Sequence, residues 1–411
     1  MKLVSLALCL LILPGTAALA GDWPWWRGPN HDGIAEPGQE APVAFSASEN
    51  CRWSADLPGR SHGSAAVAGD RVFLAVAEEE AQIQSVMCFD RDTGGLKWKT
   101  EIHRGGFVQK TNKKASWASG TPACDGERVF VNFINGDAVF TTALDLDGKQ
   151  LWRTRITGYT IHQGYGSSPA IHGDLVLVSA DNKSGGAVCG LNRKTGEVVW
   201  KRERAQMPNY ASPVVFKVGG RDQLFLTGTE KVSSFDPLTG ETLWEVDGAT
   251  TECVTTAVTD GERIFTSGGY PKNHVAAMVA DGSGTVAWET KDRVYVPSML
   301  VRDGRLYAVM DAGIAVCWNS ATGEERWKAR LGGNFSASPV MLDDRIYAAD
   351  EAGTVHVFRV KADGIEVLAE NKVGDQIFAT PVICDGRIFL RAAFFDGDKR
   401  SEKLFCFANG D

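Results

Sequence analysis

From about residue 50 onward the chain alternates short apolar runs with turn signals and shows no helical period. Arg71-Val72-Phe73-Leu74, Leu175-Val176-Leu177-Val178 and Arg305-Leu306-Tyr307-Ala308 are β-branched and aromatic-rich runs of strand length. Each leaves a Gly-Asp or Asp-Gly turn: Gly69-Asp70, Gly173-Asp174 and Asp303-Gly304, with Asp125-Gly126, Asp260-Gly261 and Asp385-Gly386 elsewhere. Before each turn stands a shorter apolar run that opens on a hydroxyl residue, as in Ser168-Pro169, Ser212-Pro213, Ser338-Pro339 and Thr380-Pro381. After it comes a third run, ending on Asp or Asn, and then a fourth that carries a tryptophan. Four short antiparallel strands per unit of about 45 residues predict the blade of a β-propeller.

The tryptophan belongs to a repeated phrase. Asp90-x-x-Thr93-Gly94-x-x-x-Trp98 is followed by equivalents ending at Trp200, Trp244 and Trp327, and two copies one residue shorter end at Trp152 and Trp288. Asp or Asn caps the turn through its own side chain, and Gly supplies a positive φ. Unit openings fall at Ser64, Thr121, Ser168, Ser212, Thr256, Ser298, Ser338 and Thr380, which predicts an all-β, eight-bladed propeller over 50–411. The seventh unit has Val367-Leu368 where its Trp should be. The eighth runs out of chain after three strands, at Leu404-Phe405-Cys406-Phe407. Its missing strand is expected to be Cys51-Arg52-Trp53-Ser54, so that the ring closes on an N-terminal strand and buries both free edges. Trp53 then joins Trp98, Trp152, Trp200, Trp244, Trp288 and Trp327 as a structural docking residue.

Residues 1–20 carry a basic start at Lys2, an apolar run from Leu3 to Leu13 and the small-x-small site Ala18-Leu19-Ala20, the pattern of a signal peptide. An exported chain, periplasmic or extracellular, is expected. No apolar run is long enough to span a bilayer. Residues 21–49 form a Trp/Pro/Gly-rich arm whose Trp23, Trp25 and Trp26 are expected to fold back as a plug on a blade face or the channel mouth. The formal charge of −8 argues against nucleic acid or an anionic membrane as partner. Lys110, Lys113 and Lys114 lie in one long loop and read as solvated. Of the nine cysteines, Cys88, Cys189 and Cys317 sit at equivalent places in different blades, too far apart to bridge. Cys51 and Cys406 fall on the two strands expected to meet at the closure, which makes them one candidate disulfide.

The Asp-x-x-Thr-Gly-x-x-x-Trp phrase resembles the docking motif of pyrroloquinoline quinone (PQQ)-like propellers, over nearly the whole chain after residue 20. That superfamily holds the quinoprotein alcohol dehydrogenases and the propeller lipoprotein of the outer-membrane β-barrel assembly machinery (BamB). The start Trp23-Pro24-Trp25-Trp26-Arg27-Gly28-Pro29-Asn30, with Tyr165-Gly166-Ser167-Ser168-Pro169 and Phe335-Ser336-Ala337-Ser338-Pro339, is similar to exported PQQ-like repeat proteins of planctomycete-type bacteria. The resemblance implies the fold and leaves the chemistry open. Quinoprotein dehydrogenases set a vicinal disulfide over the quinone, a Trp beneath it, and Glu, Asn and Asp around calcium. Here no two cysteines are adjacent, there is no Cys-x-x-Cys-His, and the calcium set matches no motif. PQQ with calcium is therefore the alternative, and no cofactor, metal or catalytic residue is assigned.

Other chemistry is thin. Gly164-Tyr165-Gly166-Ser167 opens a strand and is no nucleophile elbow, since that turn requires a following helix. The seven histidines show no metal-binding spacing. One convergence remains. The first strand of every blade lines the central channel, so residues just before each opening ring one mouth. His62, Trp117, His162, Tyr165, Tyr210, Tyr295 and Phe335 fall there, with Phe378 in the eighth unit. Rings with a few polar groups suit a small-ligand or peptide pocket, and they equally suit a plug that fills a wide channel. Two functions follow: a non-catalytic scaffold for a protein or peptide partner in the cell envelope, the BamB-like reading, or a PQQ-dependent oxidoreductase with a divergent site.

Overall fold

The protein, described from a computed structural model, is defined over residues 21–108 and 112–410. The expected signal peptide, residues 1–20, and Lys110 lie outside the described residues. Among the described residues 32 strands form eight sheets of four antiparallel strands and there is no helix. Each of blades 1 to 7 is four consecutive strands, the first opening at Ala66 and the seventh ending at Lys372.

The apolar pattern follows from where each strand lies. The second strand of blade 1, Arg71–Glu78, and the third, Ile83–Asp90, are buried along their length because neighbouring blades cover both faces. The outermost strand, Leu96–Arg104, is mostly exposed or half-buried and charged. A bulge precedes the docking Trp in each of the first six blades, and the seventh has the same bulge but no Trp.

Blade 8 closes as the missing Trp indicated. Strand Cys51–Leu57 pairs antiparallel with Lys399–Ala408, with Trp53 opposite Cys406 and Ser54 opposite Phe405. A buried ion pair locks the same joint: Arg391 meets Glu402 within blade 8 and donates to the Ala75 carbonyl of blade 1 at 3.1 Å. The expected Cys51–Cys406 contact is corrected. The ladder pairs Cys51 with Phe407, and consecutive residues of a strand face opposite ways, so Cys406 points to the other face of the sheet. All eight described cysteines are free thiols.

The docking role of the Trp phrase has a definite geometry. The indole N–H of Trp53 donates to the Arg91 carbonyl in the next blade at 3.0 Å, Trp98 to Leu146 at 2.8 Å, and Trp152 to Arg193 at 3.1 Å. Trp200, Trp288 and Trp327 make the same bond, while Trp244 turns to Gln223 Oε1. The rings of Trp53, Trp98, Trp152, Trp200 and Trp288 lie on the next blade's phrase glycine, whereas Trp244 lies on Gly282, two residues before the phrase glycine Gly284. A Cβ on Gly94 would stand 2.5 Å from Trp53, and one on Gly196 2.6 Å from Trp152. The phrase glycine thus supplies both a positive φ and the seat for an indole.

Residues 21–49 cross the channel end farther along the innermost strands. Trp23 bridges Val67, Pro24 accepts from Cys124 N, and Ile34 lies parallel to Met341. Trp23 and Phe45 are buried, the latter against Phe407 with centroids 4.7 Å apart. The arm buries Arg27 as well; its guanidinium donates to the Met299 and Asp32 carbonyls, and burial lowers its pKa to about 10. Trp26 points up the channel and donates to Thr256 Oγ1 at 2.9 Å.

Candidate functional site

The eight hydroxyl residues that open the blades form a belt around the channel. The backbone N–H of one donates to the hydroxyl of the next blade: Ser64 to Thr121 at 3.0 Å, Thr121 to Ser168 and Ser168 to Ser212 at 2.9 Å. Thr256 to Ser298, Ser298 to Ser338 and Ser338 to Thr380 continue it at 2.9–3.0 Å. The hydroxyl is thus an inter-blade acceptor at six of the eight openings, Ser64 and Thr256 being the exceptions, a role its position before a proline or small residue gave no sign of. At Thr256 the place of the backbone donor is taken by the Trp26 indole.

Between this belt and the mouth the channel holds a cavity of about 410 Å³. Trp26 lies at its floor and the belt forms its lower wall. His62, Tyr165, Tyr210, Tyr295 and Phe378 line it higher up, so the rings do not fill the channel. His62 and Phe378 pack together with centroids 4.5 Å apart. Tyr210 accepts from the Gln163 N–H through its hydroxyl, and Tyr165 donates to the Ser179 carbonyl. Burial, with the Glu252 carboxylate second, pushes the Tyr295 phenol up to about 12, and the same two causes raise Tyr210 further. Both phenols are neutral donors at neutral pH.

Three of the expected collar residues face elsewhere. Trp117 is buried in the core shared by the first three blades and stacks on Phe107 at 4.7 Å. Phe335 is buried between blades 6 and 7, beside His356 at 5.5 Å. His162 stays at the mouth without lining the cavity; its Nε2 lies 3.1 Å from Glu252 Oε1. The loops before each opening are irregular, and their side chains turn to the channel or to the core according to how the loop folds.

The long loop after blade 1 leaves Lys113 and Lys114 exposed, as expected, and it also shapes the mouth. Lys114 reaches across the mouth to blade 7, where its ammonium lies 2.7 Å from Glu351 Oε2. Asn112 donates to Gln163 Oε1 of blade 3 at 2.8 Å, and Arg60 holds the loop through the Lys113 and Lys114 carbonyls. Asn112, Lys114, Ala115 and Ser119 line the cavity, so the loop is its roof. No local pattern marks Lys114 or Trp26, because each meets a partner more than two hundred residues away.

These residues do not fit PQQ with calcium. An indole does face the cavity, from the arm. Yet among the described residues no group of three His, Cys, Asp or Glu could hold a metal, and no carboxylate or cysteine lines the cavity. Nor is there a helix among them long and apolar enough to cross a membrane.

Comparison with known proteins gives a consistent family. The family model described as outer membrane protein assembly factor BamB matches residues 82–297 and 271–374. Outer membrane protein assembly factor BamB of Burkholderia pseudomallei is 27% identical over 80% of this chain and 82% of its own. Polyvinylalcohol dehydrogenase of a Sphingopyxis species is 24% identical over 89% of this chain, which spans 49% of that enzyme. The crystal structure of BamB from Moraxella catarrhalis superposes with a TM-score of 0.60 at 16% identity, over 88% of this chain and 98% of that one, a likeness of fold.

Proposed function

Because the chain belongs to the family described as outer membrane protein assembly factor BamB, we propose that it is an exported, non-catalytic propeller that holds a protein or peptide partner in the cell envelope, in outer-membrane protein assembly. The observation that carries this reading is the family match across most of the ring, joined to a channel whose lining lacks the carboxylates a calcium-bound quinone needs. An extended partner would pair with the free edge of an outermost strand or lie on the loops, since main-chain bonds along such an edge give affinity without a deep pocket. These strands carry exposed apolar side chains, Leu96 at 54% and Val199 at 54% among them, beside charged residues that discourage indiscriminate pairing.

Deleting the chain in its own host should lower the content of folded outer-membrane β-barrels, and the tagged protein should co-purify with the assembly machinery. The oxidoreductase reading keeps one supporting observation, the likeness to polyvinylalcohol dehydrogenase over most of the chain. It predicts that PQQ with calcium produces quinone absorbance on the protein and dye-linked alcohol oxidation. That result, with β-barrel content unchanged in the deletion, would replace the scaffold reading.

A further inference from the structure

The cavity between Trp26 and Lys114 has a chemistry that the scaffold reading does not use. Its volume of about 410 Å³ lies within the range of small-molecule sites, about 300–1,000 Å³. It is closed at the floor by the arm, so a polypeptide cannot thread the ring. We propose that this chamber binds a neutral mono- or disaccharide, stacked on Trp26 and hydrogen-bonded by the hydroxyl belt.

Charge selects against ions. The Lys114 ammonium is neutralised by Glu351, His162 faces Glu252 at 3.1 Å, and the Arg293 guanidinium, bound to the Gly269 carbonyl and lying over the Tyr295 ring, is not on the lining. A carboxylate, phosphate or peptide terminus would leave water and meet no unpaired Lys or Arg on the lining, a desolvation loss with no ion pair to offset it. A neutral ligand meets no such penalty.

Hydrogen bonding selects for hydroxyls. Each belt oxygen that accepts a backbone N–H keeps its own O–H proton and a second lone pair. Ser212, Ser298, Ser338 and Thr380 line the cavity in this state, so the lower wall offers several groups that both donate and accept at close spacing. A polyhydroxylated ring matches that, because each of its hydroxyls also does both. A purely apolar ligand would strand the belt unsatisfied.

Shape selects for a ring with flat faces. Trp26, Tyr210, Tyr295 and Phe378 enclose the chamber with aromatic surface, against which the C–H face of a pyranose can pack. The roof explains entry. The Lys114–Glu351 pair closes the open side of the chamber, with Lys114 62% and Glu351 17% exposed, and the solvated ammonium can leave a carboxylate that Ser336 continues to hold.

The test is calorimetric titration of the full purified chain with neutral hexoses, N-acetylhexosamines and their disaccharides, and with PQQ plus calcium for comparison. At least one saccharide should bind with 1:1 stoichiometry and change the tryptophan fluorescence. Trp26→Ala should weaken it at least tenfold. Tyr295→Ala, at the mouth and away from the arm, should weaken it severalfold with the melting temperature kept, which covers the case of a Trp26 variant that fails to fold. Absence of saturable binding across the panel overturns the proposal. So does binding that both variants leave unchanged, or PQQ saturating the chamber with no competition from sugars.

Discussion

Gly94→Ala separates the two things that the phrase glycine does. Gly94 and Gly304 have the same φ of +71°, so alanine at either position adopts the same left-handed conformation, at a cost of about 1–2 kcal/mol. Their surroundings differ. A Cβ on Gly304 meets nothing within 4 Å, whereas one on Gly94 would stand 2.5 Å from two carbons of the Trp53 ring. Overpacking adds about 1–3 kcal/mol at Gly94 alone. Trp53→Ala by itself should lose about 3–5 kcal/mol, because a buried ring is removed and the Arg91 carbonyl loses its indole donor. Once that ring is gone, Gly94→Ala should cost only its conformational part. The double variant should therefore be more stable than the sum of the singles by about 1–3 kcal/mol. Denaturant unfolding of the four chains of the cycle, with Gly304→Ala as control, followed by circular dichroism and fluorescence, measures this. Additivity within about 0.5 kcal/mol, or a Gly304→Ala loss equal to that of Gly94→Ala, would refute the seating argument.

Three further outcomes are expected. Glu402→Ala should destabilise by about 3–5 kcal/mol, since it leaves the buried Arg391 guanidinium at the ring closure without its carboxylate; an urea midpoint near wild type would contradict this. The unfolded chain lacking residues 1–20 should titrate eight thiols with a disulfide reagent, and six would restore the Cys51–Cys406 bond. His103, buried beside Phe133 and Phe140, is held by desolvation at a pKa of about 4, against 6.5 when unfolded. The unfolded chain then takes up a proton below about pH 6.5 that the folded one refuses, so stability falls as pH drops from 6.5 towards 4. The Tm of His103→Phe should fall less than that of wild type between about pH 7 and 5, and parallel curves would exclude the assignment.

The sequence by itself determined the ring. Turn glycines, β-rich runs and the Trp phrase are local signals that recur with the blade, so eight units could be counted, and the Trp absent from the eighth pointed to Trp53. The phrase also held the docking geometry, because an indole at the end of one unit and a glycine in the next are fixed by the period itself. The lining of the channel was decided by tertiary structure alone. Tyr295 and Phe335 each stand three residues before a belt serine, yet the first lines the chamber and the second is buried between blades. The loops before the openings have no repeating backbone, so spacing carries no information on which way a ring turns. Trp26 and Lys114 show the same limit at longer range. Their partners, Thr256 and Glu351, lie across the channel, and only closure of the whole ring brings such positions within a hydrogen bond of each other.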